Sequence, residues 1–156
     1  MSHQILILHG PNLNLLGARD PKHYGSGSLD ELNQEVQILA EQLDAQVQSR
    51  QSNLEGELIT WLQQASADFD GVVFNPGGYS HTSVAIRDAI AAISIPVVEV
   101  HLSHVDSRED FRKQAIIAPV CIGRVSGFGR TSYLLGLRAV LDYLSRVTPT
   151  EEPGSP

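Results

Sequence analysis

Five short apolar runs alternate along the chain with longer segments whose apolar residues recur at three- and four-residue spacing. This alternation limits the fold more narrowly than any other feature of the sequence. The first run, residues 4–9, is strand-like. Residues 29–43 then place Leu32, Val36, Leu39 and Leu43 on one helical face, behind a start signal in which Ser28 is followed three positions later by Glu31. Residues 45–50 alternate with period two and predict a half-exposed strand at a sheet edge. Ser52-Asn53 is placed to cap a helix over 54–67 that turns Leu58, Trp61, Leu62 and Ala65 inward. A buried strand follows at 69–75, a helix at 81–92 and a fourth strand at 95–101. Residues 108–114 read as a short charged helix and 120–125 as the fifth strand. After Gly129-Arg130-Thr131 a last helix ends near Arg146.

Strand alternating with helix in this way means parallel βαβ units with right-handed crossovers and helices on both faces. The fold expected is α/β, a flavodoxin-like, doubly wound, five-stranded parallel sheet in one catalytic domain over 1–147. Residues 148–156 hold three prolines, two glutamates and a glycine, and are expected to form a disordered tail. Ligands of such sheets bind beyond the carboxyl ends of the strands. Three polar clusters fall there: residues 10–25 after the first strand, 75–81 after the third and 101–106 after the fourth.

The chain carries 11 basic and 18 acidic residues, a formal charge of −7, and no block of Lys or Arg, so nucleic acid and anionic membranes are poor partners. A small anionic substrate stays open, because a few local arginines can outweigh the overall field. One cysteine permits no internal disulfide and suits a reducing compartment. Residues 1–4 lead directly into a short apolar strand without the charged and apolar regions of a signal peptide, and no run approaches membrane-spanning length. A soluble, cytoplasmic protein is expected.

The loop over 10–25 is longer than usual strand-to-helix connections and carries Asn12, Asn14, Arg19, His23 and Tyr24. It reads either as a working loop, with a phenol beside a guanidinium, or as a surface lid of solvated residues. In the segment 75–83, Gly77 and Gly78 let backbone amides approach a ligand, and His81, Thr82 and Ser83 either cap the next helix or reach that ligand. Neither a Walker A loop nor a G-x-G-x-x-G fingerprint is present. His101, at the end of a buried strand, is suited to proton transfer near neutral pH, and Ser103 with its neighbouring amide to binding a carboxylate. His101 and His104 lack further metal ligands at close spacing. Arg112 is either a planar fork for a substrate carboxylate or hydroxyls, or a solvated charge. Glu99 is expected to pair with a polar neighbour and receives no role; Cys121 reads as an inert core thiol. The only lysines, Lys22 and Lys113, lie in polar surroundings, which argues against a buried Schiff-base lysine.

Three motifs, Gly10-Pro-Asn-Leu-Asn-Leu-Leu-Gly-Ala-Arg-Asp-Pro-Lys-His-Tyr-Gly25, Asn75-Pro-Gly-Gly-Tyr-Ser-His-Thr-Ser-Val-Ala85 and Glu99-Val-His-Leu-Ser103, together resemble the type II 3-dehydroquinate dehydratases. The likeness runs from about Ile5 to Tyr143. It implies dehydration of 3-dehydroquinate to 3-dehydroshikimate in the shikimate pathway of aromatic amino acid biosynthesis, with no metal or organic cofactor. By position, Tyr24 resembles the general base, Arg19 the residue that steadies the phenolate, His101 the acid that protonates the departing hydroxyl, and Asn12 the side chain that holds a water near the enolate oxygen. Asn75, His81, Asp88, Leu102, Ser103 and Arg112 match substrate-binding positions. Asp88 is implied to reach a neighbouring subunit's site in a homododecamer built of trimers. His9 and His104 depart from the commonest pattern, in which asparagine is frequent. A tyrosine base at pH 7 needs roughly 4 kcal/mol of phenolate stabilisation, and an adjacent Arg19 has the required sign.

Two other readings compete. A flavin-binding or non-catalytic module needs a phosphate-cradling first loop, which Pro11, Leu13, Leu15 and Leu16 suit poorly. A receiver-type signalling domain needs carboxylates after the first strand and a lysine after the fifth, where His9-Gly10 and Arg124-Val125 stand.

Overall fold

A computed structural model describes residues 2–18, 22 and 27–147. Five strands form one all-parallel sheet: β1 His3–His9, β2 Ala45–Gln51, β3 Gly71–Asn75, β4 Val97–His101 and β5 Gly123–Ser126. Their spatial order is β2-β1-β3-β4-β5, so β2 is the edge strand that its alternation predicts, and the chain reverses its direction of winding between β1 and β3. This is the flavodoxin-like order, in which the reversal opens a crevice at the carboxyl ends.

Among the described residues four α-helices cover the sheet: α1 Leu29–Gln42, α2 Glu55–Asp68, α3 Val84–Ala92 and α4 Thr131–Val147. Strand alternation divides the core between them. Ile5, Ile7, Val73, Val98 and Val100 pack against Leu32, Val36 and Leu39 of α1 and Leu137 and Val140 of α4. The opposite side chains, Leu6, Leu8, Val72, Phe74 and Val97, pack against Leu58 and Leu62 of α2 and Ile86 and Ile90 of α3. The α4 contact is close because residue 136 is glycine: a Cβ there would lie 2.6 Å from Val100 Cγ1.

Several boundaries differ from the sequence reading. The fifth strand starts at Gly123 rather than 120, because Ala118–Val120 form a 3₁₀ turn around Pro119, which has no N–H for a ladder. The helix expected from His81 begins at Val84: Gly77–His81 is itself a 3₁₀ turn, and Ser83 caps α3 by accepting from the Ile86 N–H. Ser52 does not cap α2. Its hydroxyl accepts from the Leu54 N–H, one step before the helix. The charged helix expected over 108–114 is reduced to one 3₁₀ turn, Asp110–Lys113. Trp61 is only half-buried against the core, its ring lying under the Arg50 guanidinium. Ser28 caps α1 as its sequence predicts, accepting from the Glu31 N–H at 3.2 Å. Residues 148–156, expected to form a tail, lie outside the described residues.

Candidate active site

A cavity of about 140 Å³ opens at the carboxyl edge where β1, β3 and β4 end. Its lining includes Asn12, Asn75, His81, His101, Leu102, Ser103 and Arg112, all singled out from the sequence. Arg19 and Tyr24 lie outside the described residues. Asp88 is exposed on α3 and is not part of the cavity lining.

The β1 and β3 loops are drawn together by backbone contacts that only small residues permit. Gly10 N–H donates to Asn75 O at 2.7 Å, and a Cβ on Gly10 would meet the Pro76 carbonyl at 2.8 Å. Asn12 follows with φ of 70°, a left-handed conformation that asparagine tolerates better than most residues. Its N–H donates to Asn53 Oδ1 at 3.0 Å, and Gln51 Nε2 donates to Gly10 O at 3.2 Å, so the end of β2 supports the loop. Asn53 O also accepts from the Tyr79 hydroxyl, which ties the second loop to the same strut.

At the cavity floor, His101 is 6 % exposed, and its Nε2 lies 2.8 Å from Oε2 of the fully buried Glu99. A carboxylate can only accept, so Nε2–H is the donor and Nδ1 is the nitrogen left for chemistry. Ser80 donates to the same oxygen at 3.1 Å. Arg124 Nε stands 2.8 Å from it, off the hydrogen-bond direction, so this contact is an ion pair rather than a hydrogen bond. β5 sets Arg124 beside Glu99 by register. One oxygen of a buried carboxylate is therefore shared by an imidazole, a hydroxyl and a guanidinium, and it fixes the orientation of the His101 ring.

His81 lies parallel to His101, their rings 6.4 Å apart and inclined by 20°. Its Nδ1–H donates to Gln114 O at 2.8 Å. Burial lowers the His81 pKa, and the positive charges of Arg112 and Arg124 and the nearby His101 push the same way. The neutral ring thus offers Nε2 as an acceptor, and that atom has no partner among the described residues. On the rim, Arg112 is held by Glu109 at 2.6 Å and stacks 4.9 Å from the Phe111 ring. Arg108 Nη1 donates to Ser103 Oγ at 3.3 Å.

Sequence reasoning missed Glu99, Arg124 and Arg108 as parts of the site. Glu99 was legible: positions 99 and 101 alternate onto one face of a strand, so a carboxylate beside the histidine follows from the pleat. Arg124 was not, because its place depends on the β4–β5 register.

A histidine over a buried carboxylate, arginines at the rim and amide-bearing loops at the crevice of a parallel sheet define the candidate site of an α/β enzyme. Residues 3–141 match the family model described as dehydroquinase class II. A 3-dehydroquinate dehydratase of Geotalea daltonii is 51% identical over 143 residues, covering 92% of this chain and 99% of the relative. One from Pelotomaculum thermopropionicum is 55% identical over 136 residues, covering 87% and 94%. The crystal structure of a type II dehydroquinase from Butyrivibrio crossotus superimposes with a TM-score of 0.88 at 39% identity, covering 90% of this chain and 98% of that one. The chain belongs to the class II dehydroquinase family and is a hydro-lyase.

Proposed function

We propose that the protein removes water from 3-dehydroquinate to give 3-dehydroshikimate in the shikimate pathway, in the cytoplasm. The reaction runs through an enolate with no Schiff base. Tyr24, ionised beside Arg19, takes the proton alpha to the ketone. Asn12 holds a water near the enolate oxygen, where hydrogen bonding stabilises developing charge. His101 donates its proton to the departing hydroxyl and is restored by solvent exchange. Asn75, His81, Leu102, Ser103 and Arg112 hold the substrate. Arg112 takes the carboxylate, and the neutral His81 Nε2 accepts from a ring hydroxyl.

The observation that carries this reading is the His101–Glu99 contact at the cavity floor. A buried carboxylate 2.8 Å from Nε2 fixes the orientation of the imidazole at the cavity floor, the positioning that a general acid requires. The test is ultraviolet absorbance of the purified protein mixed with 3-dehydroquinate. Rapid growth of the conjugated enone, unaffected by borohydride pretreatment, is expected. Tyr24→Phe is expected to lower turnover by two to four orders of magnitude, roughly the range for losing a general base. Near wild-type turnover in that variant would remove Tyr24 from the mechanism.

Asp88 extends the proposal to assembly. It stands one turn from Val84 on the exposed side of α3, away from its own cavity, and Val84 is 61 % exposed. An apolar side chain beside an acidic one suits a subunit contact in which Asp88 reaches a neighbour's site, within trimers that form a dodecamer. Light scattering that found a fully active monomer would overturn it.

A further inference from the structure

Asn12 holds a backbone conformation that its own turn does not explain. It stands at the N-cap of the 3₁₀ turn Leu13–Leu15, a position that normally has extended dihedrals and a side chain bonded to the turn. Here φ is 70° and ψ is −4°, in the left-handed region, and the side chain makes no cap hydrogen bond. Asp44, the other non-glycine residue with positive φ among the described residues, lies just past the end of α1, where left-handed residues ordinarily stop a helix. Asn12 instead lines the cavity.

The Asn12 main chain is held on both sides. Its carbonyl accepts from the Leu15 N–H at 3.0 Å, and its N–H donates to Asn53 Oδ1, also at 3.0 Å. Partners settle which way the Asn53 amide points. Gly10 O can only accept, so the group that Gln51 turns to it at 3.2 Å is its NH₂, and the same nitrogen donates to Asn53 Oδ1 at 3.1 Å. Both lone pairs of Asn53 Oδ1 are thus taken, one by the loop after β1 and one by the end of β2. The Asn53 carbonyl accepts from the Tyr79 hydroxyl at 3.2 Å, in the turn after β3. Asn53 itself is exposed between β2 and α2 and is not part of the cavity lining.

We propose that Asn53 is a positioning residue for the reaction: its side-chain oxygen holds Asn12 in the left-handed conformation that leaves the Asn12 amide to the cavity. The proposal rests on the reading of Asn12 as the group that holds a water near the enolate oxygen. Truncating an exposed side chain opens no core, and the Tyr79 contact, made to the Asn53 main chain, survives substitution there.

Asn53→Ala is expected to lower kcat about five- to tenfold, the size of effect usual for one lost hydrogen bond. The KM for 3-dehydroquinate is expected to change far less, because the enolate charge develops only in the transition state. Asn53→Asp keeps an acceptor for the Asn12 N–H and is expected to recover kcat to within about twofold, measured at high salt to screen the added charge. Hydrogen–deuterium exchange over residues 10–16, read by mass spectrometry, reports apart from activity. It is expected to quicken in Asn53→Ala and to stay near wild type in Asn53→Asp. In an Asn12→Ala background, Asn53→Ala is expected to leave kcat unmoved. An equal loss in both backgrounds would show Asn53 acting by a route other than Asn12 and would overturn the proposal. So would unchanged exchange in Asn53→Ala, or wild-type kcat in that variant when Asn12→Ala is slow. If exchange quickens in Asn53→Ala while Asn12→Ala turns over at the wild-type rate, the hold on Asn12 stands and the assignment of Asn12 to the enolate water fails.

Discussion

Glu99 is a fully buried charge in the middle of a sheet, a placement that costs several kcal/mol unless the charge is compensated. Arg124, His101 and Ser80 provide that compensation on a single oxygen, Oε2. On the proposed mechanism, Glu99→Gln weakens the contact that orients the His101 ring, and kcat is expected to fall about 10- to 100-fold, less than for loss of the acid itself, with the fold retained. Steady-state kinetics beside a circular dichroism spectrum reads both. Cys121 answers to the same charge. Burial first, and then the Glu99 carboxylate, push its thiol up to about 12, so it stays protonated and unreactive. Iodoacetamide at pH 8 is expected to leave the native protein unmodified and to alkylate it once in urea, as mass spectrometry would show.

Elements position these side chains through close packing at their ends. Because a Cβ on residue 136 would lie 2.6 Å from Val100 Cγ1 and 3.3 Å from Val73 Cγ1, Gly136→Val must lift α4 off the two strands that lead to His101 and Asn75. A loss of about 1–3 kcal/mol is expected from such overpacking, measured by urea denaturation, together with lower activity. Ser83→Ala removes the α3 cap, whose hydroxyl accepts from the Ile86 N–H at 3.0 Å, and is expected to cost about 1 kcal/mol. That cap was legible in the sequence as one of three candidates, His81, Thr82 and Ser83. Only the 3₁₀ turn over Gly77–His81 frees His81 from capping and turns its ring to the cavity.

For the whole molecule, the buried His9 links stability to pH. Its folded pKa of about 4 lies below the unfolded value near 6.5, so between these values the unfolded chain binds a proton that the native protein refuses. The His9 contribution to stability is therefore complete above about pH 6.5, declines as pH falls and is exhausted below about 4. Its full size is about 3 kcal/mol. Denaturation curves at pH 7 and pH 4 are expected to differ by up to this amount more in the wild type than in His9→Asn.

The sequence by itself determined the element order, the parallel sheet with β2 at its edge and the three polar clusters, because apolar periodicity and turn chemistry are local properties of a chain. It also placed Asn12, Asn75, His81 and His101 near one another, since strands in a parallel sheet all end on the same side. Tertiary structure alone decided which atoms meet. Glu99 faces Arg124 through strand register, and His9 meets Asn33 and Tyr133 through the packing of α1 and α4 on β1. Residues far apart in sequence acquire proton-transfer partners only when helices and strands have been stacked. The pairing that tunes a histidine is therefore a property of distance and burial, which no linear spacing encodes.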